Sequence, residues 1–349
     1  MNTLNSRKIH LDIIRIISII LVIAHHTILY RYHALPDAGS NRPLYIGISF
    51  LIKTGVPMLY MISGALLLPK EESISQLLKR VFRYLTVLFL FSLISYIYSV
   101  FKNNSQISWW VFLSNLYGSA QTDSYWFLYQ YLAYLISLPL LRKLVKVMEL
   151  RDFYYLIIIW FLLKNSEFIA YLILGIPLKP SDSFTLFVME HQVFFPLIGY
   201  FLEHRINGEI YTQKKAGTYI ACIACISFII TAVIQNHYWS VSQNPDQEAF
   251  MNTLVFIPCI ANYYLMKKLF QDKNLPRRLA SIITWVSSCS FGVYLLQHIY
   301  LEETLLIGEF LRNNLGILCG TIAWVLFVFL IGTVVSSILK HIPLIKKLI

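Results

Sequence analysis

The stretch RIISIILVIAHHTILY, Arg15–Tyr30, decides the fold class. It covers most of the roughly 20 apolar positions that a helix needs to cross the hydrocarbon core of a bilayer. An arginine begins the stretch, and His25 and His26 lie near its other end. An ionisable group inside the hydrocarbon costs about 2.5–3.5 kcal/mol on insertion scales, so a functional role is the first explanation to test. The stretch therefore predicts a transmembrane helix that carries functional polar residues.

The composition assigns the whole chain to the integral membrane proteins. Of its 349 residues, 57% are hydrophobic and only 13% are charged, which excludes a soluble domain. The net charge of +11 invites comparison with nucleic-acid-binding proteins, but these gather Lys and Arg on one water-facing surface. Here the basic residues stand in short clusters between apolar runs. We therefore expect the lipid bilayer, and no nucleic acid, as a partner.

Ten apolar runs can be read as membrane spans, which predicts an all-α, polytopic membrane protein. The predicted spans are 10–30, 44–68, 84–101, 125–141, 153–173, 190–203, 216–235, 249–267, 282–301 and 315–339. The fifth is interrupted by KNSEF at 164–168, and the sixth is short and contains Pro196. The first is too long for a signal-peptide core and has no small-residue cleavage site, so we expect it to be retained. A single domain, 1–349, is expected.

The distribution of Lys and Arg predicts the orientation of the spans. If the N-terminus is cytoplasmic, the inner segments hold 21 of the 29 Lys and Arg residues, Arg7, Arg142 and Lys273 among them, and the outer segments hold six, including Lys179. The positive-inside rule then places the N- and C-termini in the cytoplasm, in agreement with an even number of spans. The other two, Arg15 and Lys53, lie inside predicted spans, which makes Lys53 a further functional candidate.

The first span brings its ionisable residues to one helix face. Arg15 and His26 are eleven positions apart, and at about 100° per residue their side chains lie within about 20° of one direction, roughly 16 Å apart along the axis. His25 points about 100° away. Asp12, three residues before Arg15, can orient the guanidinium. Alternatively, Arg15 snorkels to the cytoplasmic headgroups and both histidines sit at the outer interface.

A second basic pair lies at the inner end of the third span, in RVFR at 80–83. Arg80 and Arg83 are three residues apart, so on a helix they share a face and can bind two phosphate groups with forked donors. Alternatively they are topology signals only, since basic residues are expected at inner ends. The five cysteines all lie in apolar segments, which favours packed or lipid-facing thiols over a redox or metal site.

Five motifs follow one another along the chain: LDIIRIISIILVIAHH (11–26), GVPMLYMISGALLL (55–68), RVFR (80–83), YWFLYQYLAYLISLPLL (125–141) and SFGVYLLQHIYL (290–301). In this order, and in a frame of ten spans, they resemble the membrane-bound acyltransferase-3 family. The chain looks similar to its branch of stand-alone polysaccharide O-acetyltransferases, which includes the enterobacterial-common-antigen O-acetyltransferase. The resemblance covers nearly the whole chain.

This resemblance implies a multi-pass enzyme of the bacterial inner or plasma membrane. It would move an acyl group, usually acetyl, from cytoplasmic acyl-CoA to a hydroxyl of a cell-surface or extracytoplasmic glycan or glycolipid. Arg15 and His26 match the family's functional pair in the first span. Arg80 and Arg83 match its Arg-x-x-Arg motif.

One position departs from the family pattern. The family usually has His seven residues after the Ser of the SFG motif, where this chain has Gln297, with His298 one position later. A shift of one residue turns a helical side chain by about 100°. The role of the family's His is therefore not carried over to His298.

The chemistry of acyl transfer is consistent with these residues. CoA is a polyanion, so its binding site should be basic and cytoplasmic, where Arg80 and Arg83 are predicted to lie. A sugar hydroxyl needs a general base near neutral pH, and the imidazole of His26 fits that role. A thioester already has a good leaving group, and no ligands with metal spacing occur. Acyl-CoA is therefore expected as the donor, without a metal or a permanently bound cofactor.

Two other function classes are compatible with the same residues. A transporter or flippase of a glycan or lipid precursor would use the same basic residues and buried polar face, although no inverted repeat supports it. A non-catalytic lipid-binding or sensory protein would use the inner cations to meet anionic lipids. Acyl transfer or acyl-CoA hydrolysis by the purified protein separates the first reading from these two. The sequence identifies neither the acceptor glycan nor acetyl against succinyl as the acyl group.

Overall fold

The described part of the chain is built from helices. The computed structural model of the protein describes residues 8–176, 178, 181, 186–206, 214–242, 252, 254–271 and 275–349, and no strand occurs among them. The predicted all-α class is therefore confirmed. Arg7, Lys179 and Lys273 of the charge count, and the start of the predicted span 249–267, lie outside the described residues.

The helices follow one another with mostly short connections. In the first half of the chain they are α1 (Ile9–His25), α2 (Ile28–Arg31), α3 (Arg42–Ile52), α4 (Gly55–Leu67), α5 (Ile74–Lys102), α6 (Trp109–Gly118), α7 (Trp126–Val147) and α8 (Leu150–Lys164). In the second half they are α9 (Ser166–Leu174), α10 (His191–Tyr200), α11 (Lys214–Ser242), α12 (Phe256–Phe270), α13 (Arg277–Glu303), α14 (Leu305–Leu339) and α15 (Pro343–Lys346). A π-helical segment, Phe201–Arg205, continues α10.

The predicted spans coincide with helices or with pairs of consecutive helices. Among the described residues, five helices are long and apolar enough to cross a membrane, or up to seven spans result if each of two bent pairs counts as one. The other predicted spans correspond to α7, α10 and α12. The chain is thus a multi-pass membrane protein, while the number of ten spans and the cytoplasmic termini stay predictions.

The first span is broken, which corrects the prediction of one helix over 10–30. The helix α1 ends at His25, and the helical turns that follow run at 71° to it. The Thr27 N–H and hydroxyl both bond to the Ala24 carbonyl, at 3.1 and 2.7 Å, and close the helix end. Neither Gly nor Pro stands at this point, so the usual sequence signal for a helix end is missing. His26 is consequently the first residue beyond the helix.

Two other breaks fall where the sequence indicates them. The helices α8 and α9 meet at Asn165 with a bend of 56°, inside the KNSEF stretch. The helices α3 and α4 are separated by Lys53 and Thr54. Pro57, in the first turn of α4, lacks an N–H, and its ring conflicts with a helical carbonyl at residue 53, four positions earlier. The proline therefore accounts for the interruption at Lys53.

The helices form two compact units, each made of two chain segments. The first unit contains Met1–Pro69 and Lys143–Ser287, and the second contains Lys70–Arg142 and Ser288–Ile349. Each unit thus depends on residues that are distant in sequence, while the expected single domain over 1–349 stays a prediction.

In the first unit, α4 and α10 pack backbone to backbone. A Cβ added at Gly64 would lie 1.9 Å from the Pro196 carbonyl oxygen, and one added at Gly199 would lie 1.9 Å from the Met61 carbonyl oxygen. Such an approach requires residues without a side chain on both helices. The broad buried side of α4 therefore lies against α10 with no room for a larger residue at Gly64.

In the second unit, polar side chains join α13 and α14. The Ser336 hydroxyl donates to the Cys289 carbonyl at 3.0 Å, and Trp324 Nε1 donates to the Thr304 hydroxyl at 2.9 Å. Cys289, Ser336 and Trp324 lie in these apolar helices, where an unbonded polar group is costly, and Thr304 is the residue that connects them. These bonds fix how α13 and α14 pair within the unit.

Reporter fusions test the predicted orientation. We expect a reporter fused after Lys70 or Lys146 to be cytoplasmic and one fused after Asn104 to be outside, because Lys-rich and Arg-rich segments stay on the inner side. Paired activities of alkaline phosphatase and a fluorescent protein measure this. A reversal of all three signals would contradict the orientation.

The Gly64→Ala substitution tests the close packing of α4. The added methyl group cannot fit without moving the backbone of α10, so the free energy of unfolding should fall by at least about 1–3 kcal/mol. Gly47→Ala is the matched control, because a Cβ there meets only the Phe228 ring, at 3.9 Å. Thermal unfolding of both variants in detergent measures the difference. Equal midpoints would show that the two helices are not packed this closely.

Candidate active site

The polar face of α1 is fixed by a buried carboxylate. Arg15 Nη1 lies 3.2 Å from Asp12 Oδ1 and 2.9 Å from the hydroxyl of Ser287, and that hydroxyl donates to the same Asp12 oxygen at 2.6 Å. Asp12 is 3% exposed, whereas the Arg15 side chain is 27% exposed. The predicted contact between Asp12 and Arg15 is confirmed. The third member, Ser287 on α13, was not anticipated from the sequence.

The other end of α1 gathers aromatic and basic groups. The ring centroids of His25 and His26 are 5.4 Å apart, and the His25 ring lies 3.9 Å from that of Tyr30. Lys53 Nζ is 5.7 Å from the centre of the Tyr30 ring and 2.8 Å from Asn252 Oδ1. Two imidazoles, a phenol and an ammonium therefore lie close together beyond the last turn of α1.

The predicted alignment of Arg15 and His26 assumes a continuous helix, and the helix continues up to His25, one residue before His26. Arg15 to His25 belong to one helix, and His26 follows as its C-cap with φ −91° and ψ 14°. The planes of the His25 and Tyr30 rings are tilted by 36° to each other. His26 stands at the turn where the chain leaves the helix. Both imidazoles are partly exposed.

Arg80 shares a carboxylate with an arginine that the charge count had treated only as a topology signal. Arg80 Nη2 donates to Glu72 Oε1 at 2.7 Å, and Arg142 Nη2 donates to Glu72 Oε2 at 2.9 Å. Burial acts to raise the pKa of Glu72, but the hydrogen bonds from Arg80 and Arg142 outweigh it and hold that pKa below its usual value. Glu72 is therefore ionised at neutral pH.

Arg83 has a different partner. Its Nε and Nη2 both donate to the Leu348 carbonyl, at 3.3 and 3.1 Å. Arg80 and Arg83 lie on α5, as the predicted shared helix requires, but each is held by a separate acceptor. Helical spacing indicates neither acceptor, because Leu348 is 265 positions from Arg83 and Glu72 lies eight positions before Arg80, ahead of the start of α5.

A third buried carboxylate anchors the start of α1. Glu203, in the π-helical segment, is approached by Lys8 Nζ at 2.7 Å, by His10 Nε2 at 3.1 Å and by the hydroxyl of Tyr263 at 2.8 Å. Lys267 Nζ lies 3.6 Å away. The Glu203 side chain is 3% exposed, so these groups compensate a charge that has left water. Sequence reasoning missed this cluster, whose only local signal is an acidic residue at the end of the predicted span 190–203.

The position that departs from the family pattern is deeply buried. Gln297 is fully buried, and neither atom of its amide has a hydrogen-bond partner within the described parts of the chain. His298 meets the Tyr125 ring edge-on, with the centroids 5.7 Å apart. The Tyr125 hydroxyl donates to the Leu295 carbonyl at 2.6 Å. Gln297 and His298 thus occupy distinct surroundings, and no common role follows for them.

The sequence profile of the acyltransferase domain, the acyltransferase-3 family, matches residues 9–341. The chain belongs to this family. The expected membrane acyltransferase is therefore confirmed, whereas its branch within the family stays a prediction. No curated protein and no solved structure matches this acyltransferase. The match begins at the first residue of α1 and includes both units, so the Arg15–His26 stretch and the Arg80–Arg83 motif belong to the acyltransferase domain itself.

Substitution of Asp12 tests the anchoring of Arg15. Asp12→Ala leaves a partly buried guanidinium without its carboxylate, which for a fully buried pair costs about 3–5 kcal/mol. The loss should be smaller here because the Arg15 side chain is 27% exposed. Thermal unfolding in detergent should show a clearly lowered midpoint for Asp12→Ala and an unchanged one for Asp37→Ala, an exposed control. An unchanged midpoint for both would mean that Arg15 does not need Asp12.

Proposed function

We propose that this acyltransferase transfers an acetyl group from cytoplasmic acetyl-CoA to a hydroxyl of a glycan or glycolipid on the outer side of a bacterial cell membrane. The observation that carries the proposal is the family match over 9–341 in a chain whose first helix holds Arg15 and ends beside His26. Acetyl, CoA and glycan come from the resemblance to the polysaccharide O-acetyltransferases. The arginines on α5 can bind the phosphates of CoA, and the imidazole at the end of α1 can accept a proton from a glycan hydroxyl.

His26 is the proposed general base. An imidazole with an ordinary pKa near 6.5 is largely neutral at physiological pH and can accept a proton there. The acceptor hydroxyl oxygen attacks the thioester carbonyl carbon while its proton moves to the imidazole. The tetrahedral intermediate then collapses, the C–S bond breaks, and the CoA sulfur takes up the proton. The products are the glycan ester and free CoA thiol, and no metal or redox partner is needed.

Arg15 is proposed to hold the donor along the same helix. Its guanidinium is oriented by Asp12 and Ser287 while a quarter of the side chain stays exposed, so it is directed and still accessible. A planar guanidinium suits phosphate and carbonyl oxygens because its N–H groups form a fork. In this arrangement Arg15 positions acetyl-CoA, and His26 meets the acceptor about 16 Å further along the helix axis. The flexible pantetheine arm of CoA covers such a distance.

Arg80 and Arg83 are the proposed binding residues for the CoA phosphates. Both side chains carry a permanent positive charge, and both donate to oxygen acceptors, Glu72 and the Leu348 carbonyl. A phosphate oxygen is a stronger acceptor than a carbonyl oxygen for a guanidinium. Arg83 would therefore exchange the Leu348 carbonyl for a phosphate of acetyl-CoA. At Arg80 the phosphate has to compete with the Glu72 carboxylate.

The His26→Ala variant tests the proposed reaction. It removes the base and leaves the proposed phosphate-binding residues intact, so acyl transfer should fall by about 10²–10⁴-fold while CoA affinity is kept. Release of free thiol from acetyl-CoA measures the rate in detergent or nanodiscs with a glycan acceptor. Calorimetric titration measures CoA binding. His25→Ala is the matched control, and its activity per folded protein should remain within a few-fold of the unsubstituted chain.

Three outcomes would contradict the proposal. If His25→Ala abolished acyl transfer and His26→Ala did not, the general base would be His25 and not His26. No thiol release from acetyl-CoA with any glycan acceptor would leave acetyl-CoA without support as the donor. Unchanged ester content in the surface glycans of a deletion strain would contradict the acceptor class, because loss of the enzyme should remove one ester.

A further inference from the structure

The second unit contains an ionic triad made of Arg80, Glu72 and Arg142. The two oxygens of one carboxylate are divided between the two guanidinium groups, at 2.7 and 2.9 Å. The side chains of Glu72 and Arg142 are 9% and 10% exposed, and that of Arg80 is 32% exposed. Arg80 is therefore the member of the triad that a ligand in water can reach.

The formal charge of the triad is positive. Two guanidinium groups and one carboxylate leave a single positive charge, and Glu72 stays ionised at neutral pH because both arginines stabilise its charged form. Charges that are partly removed from water interact more strongly than fully solvated charges. The balance between the three side chains therefore decides how strongly this place attracts an anion.

Arg80 also has a donor that the protein does not use. Its Nε is buried and has no hydrogen-bond partner among the described residues. A buried N–H without an acceptor costs free energy, about 1–3 kcal/mol for a typical group. Because 32% of the side chain is exposed, Arg80 keeps one hydrogen-bond donor that an external acceptor could use once the guanidinium turns toward water.

We infer that Glu72 is a built-in competitor of the donor phosphate at Arg80, and that Arg142 is the positioning residue that draws Glu72 away. This inference rests on the proposed function, in which Arg80 binds a CoA phosphate. Arg142 binds one oxygen of Glu72 and so prevents that carboxylate from placing both oxygens on Arg80. Incoming phosphate then takes the Arg80 fork while Glu72 stays paired with Arg142.

Charge arithmetic gives a distinct prediction for each variant. Arg142→Ala lowers the formal charge of the triad from +1 to zero and leaves Glu72 to Arg80 alone, so CoA affinity should fall by about tenfold. Glu72→Gln raises the charge to +2 and removes the competitor, so CoA affinity should rise by about threefold or more. The double variant returns to +1 with no competitor. Its CoA affinity should be at least that of the unsubstituted protein.

The experiment is calorimetric titration of CoA into the purified full-length protein in detergent. Lys79→Ala and Lys143→Ala are matched controls, since each removes one positive charge from an exposed position next to Arg80 or Arg142. Both controls should change affinity much less than Arg142→Ala does. Monodisperse elution and the unfolding midpoint of every variant report whether it is folded. A second titration with 3′,5′-ADP tests whether the effect lies at the phosphates.

Rescue of Arg142→Ala by Glu72→Gln is the expected result. A purely structural role for Arg142 would not be rescued, because the double variant lacks both members of the ion pair. Glu72→Gln lowering CoA affinity as far as Arg80→Ala does would overturn the inference, since Glu72 would then orient Arg80 for its ligand. Effects of the two Lys controls equal to that of Arg142→Ala would overturn it as well.

The inference and the proposed function fail in different ways. If the unsubstituted protein binds neither CoA nor 3′,5′-ADP, both the donor assignment and the triad's role are wrong. If CoA binds and the triad variants leave the affinity unchanged, only the inference is wrong, and Arg80 and Arg83 keep their proposed role.

Discussion

A charge that leaves water must be compensated, and this constraint shapes the chain more than any other. Among the described residues, Asp12, Glu72 and Glu203 are largely buried carboxylates, and each is shared by at least two donors. Asp12 fixes the polar face of α1, Glu203 fixes the start of the same helix, and Glu72 joins two arginines. An apolar environment makes each arrangement strict, because removal of one partner leaves an uncompensated charge. The basic residues that pair with these carboxylates, such as Arg15, Arg142 and Lys267, are thereby held in defined places.

The fold could be predicted wherever one local signal decided it. Apolar length located the helices, KNSEF marked the bend at Asn165, and Pro57 marked the break at Lys53 between α3 and α4. The end of α1 at His25 had no such signal, since neither Gly nor Pro stands there and the apolar pattern continues. Thr27 bonds back to the preceding turn at this point, but Thr86 and Thr333 form similar bonds inside helices, so such a residue does not mark a helix end in a sequence. Apolar length alone therefore overestimates the length of a helix.

The candidate site divides in the same way between local and distant contacts. The Asp12–Arg15 pair followed from a spacing of three residues, since helix geometry alone brings such side chains together. Ser287 and Arg142 could not be found like this, because their contacts depend on which helices pack against each other. The sequence places Arg142 among the inner basic residues. A topology signal does not need to be buried, so this interpretation does not explain why Arg142 is. A positive charge that is 10% exposed needs a carboxylate, but only the structure shows that Arg142 is buried and that Glu72 is its partner.

A weakened phosphate site suits an enzyme that must release its product. Free CoA carries the same phosphates as acetyl-CoA, so Arg80 and Arg83 without a competing carboxylate would hold donor and product equally and would slow turnover without helping the chemical step. Under the proposed function, Glu72 lowers the affinity for both, and Arg142 limits how far it does so. Glu72→Gln should then raise CoA affinity and lower the turnover rate at saturating acetyl-CoA, because the product stays bound. The Glu72 carboxylate would thus serve the release of free CoA, and its removal would strengthen CoA binding and slow turnover.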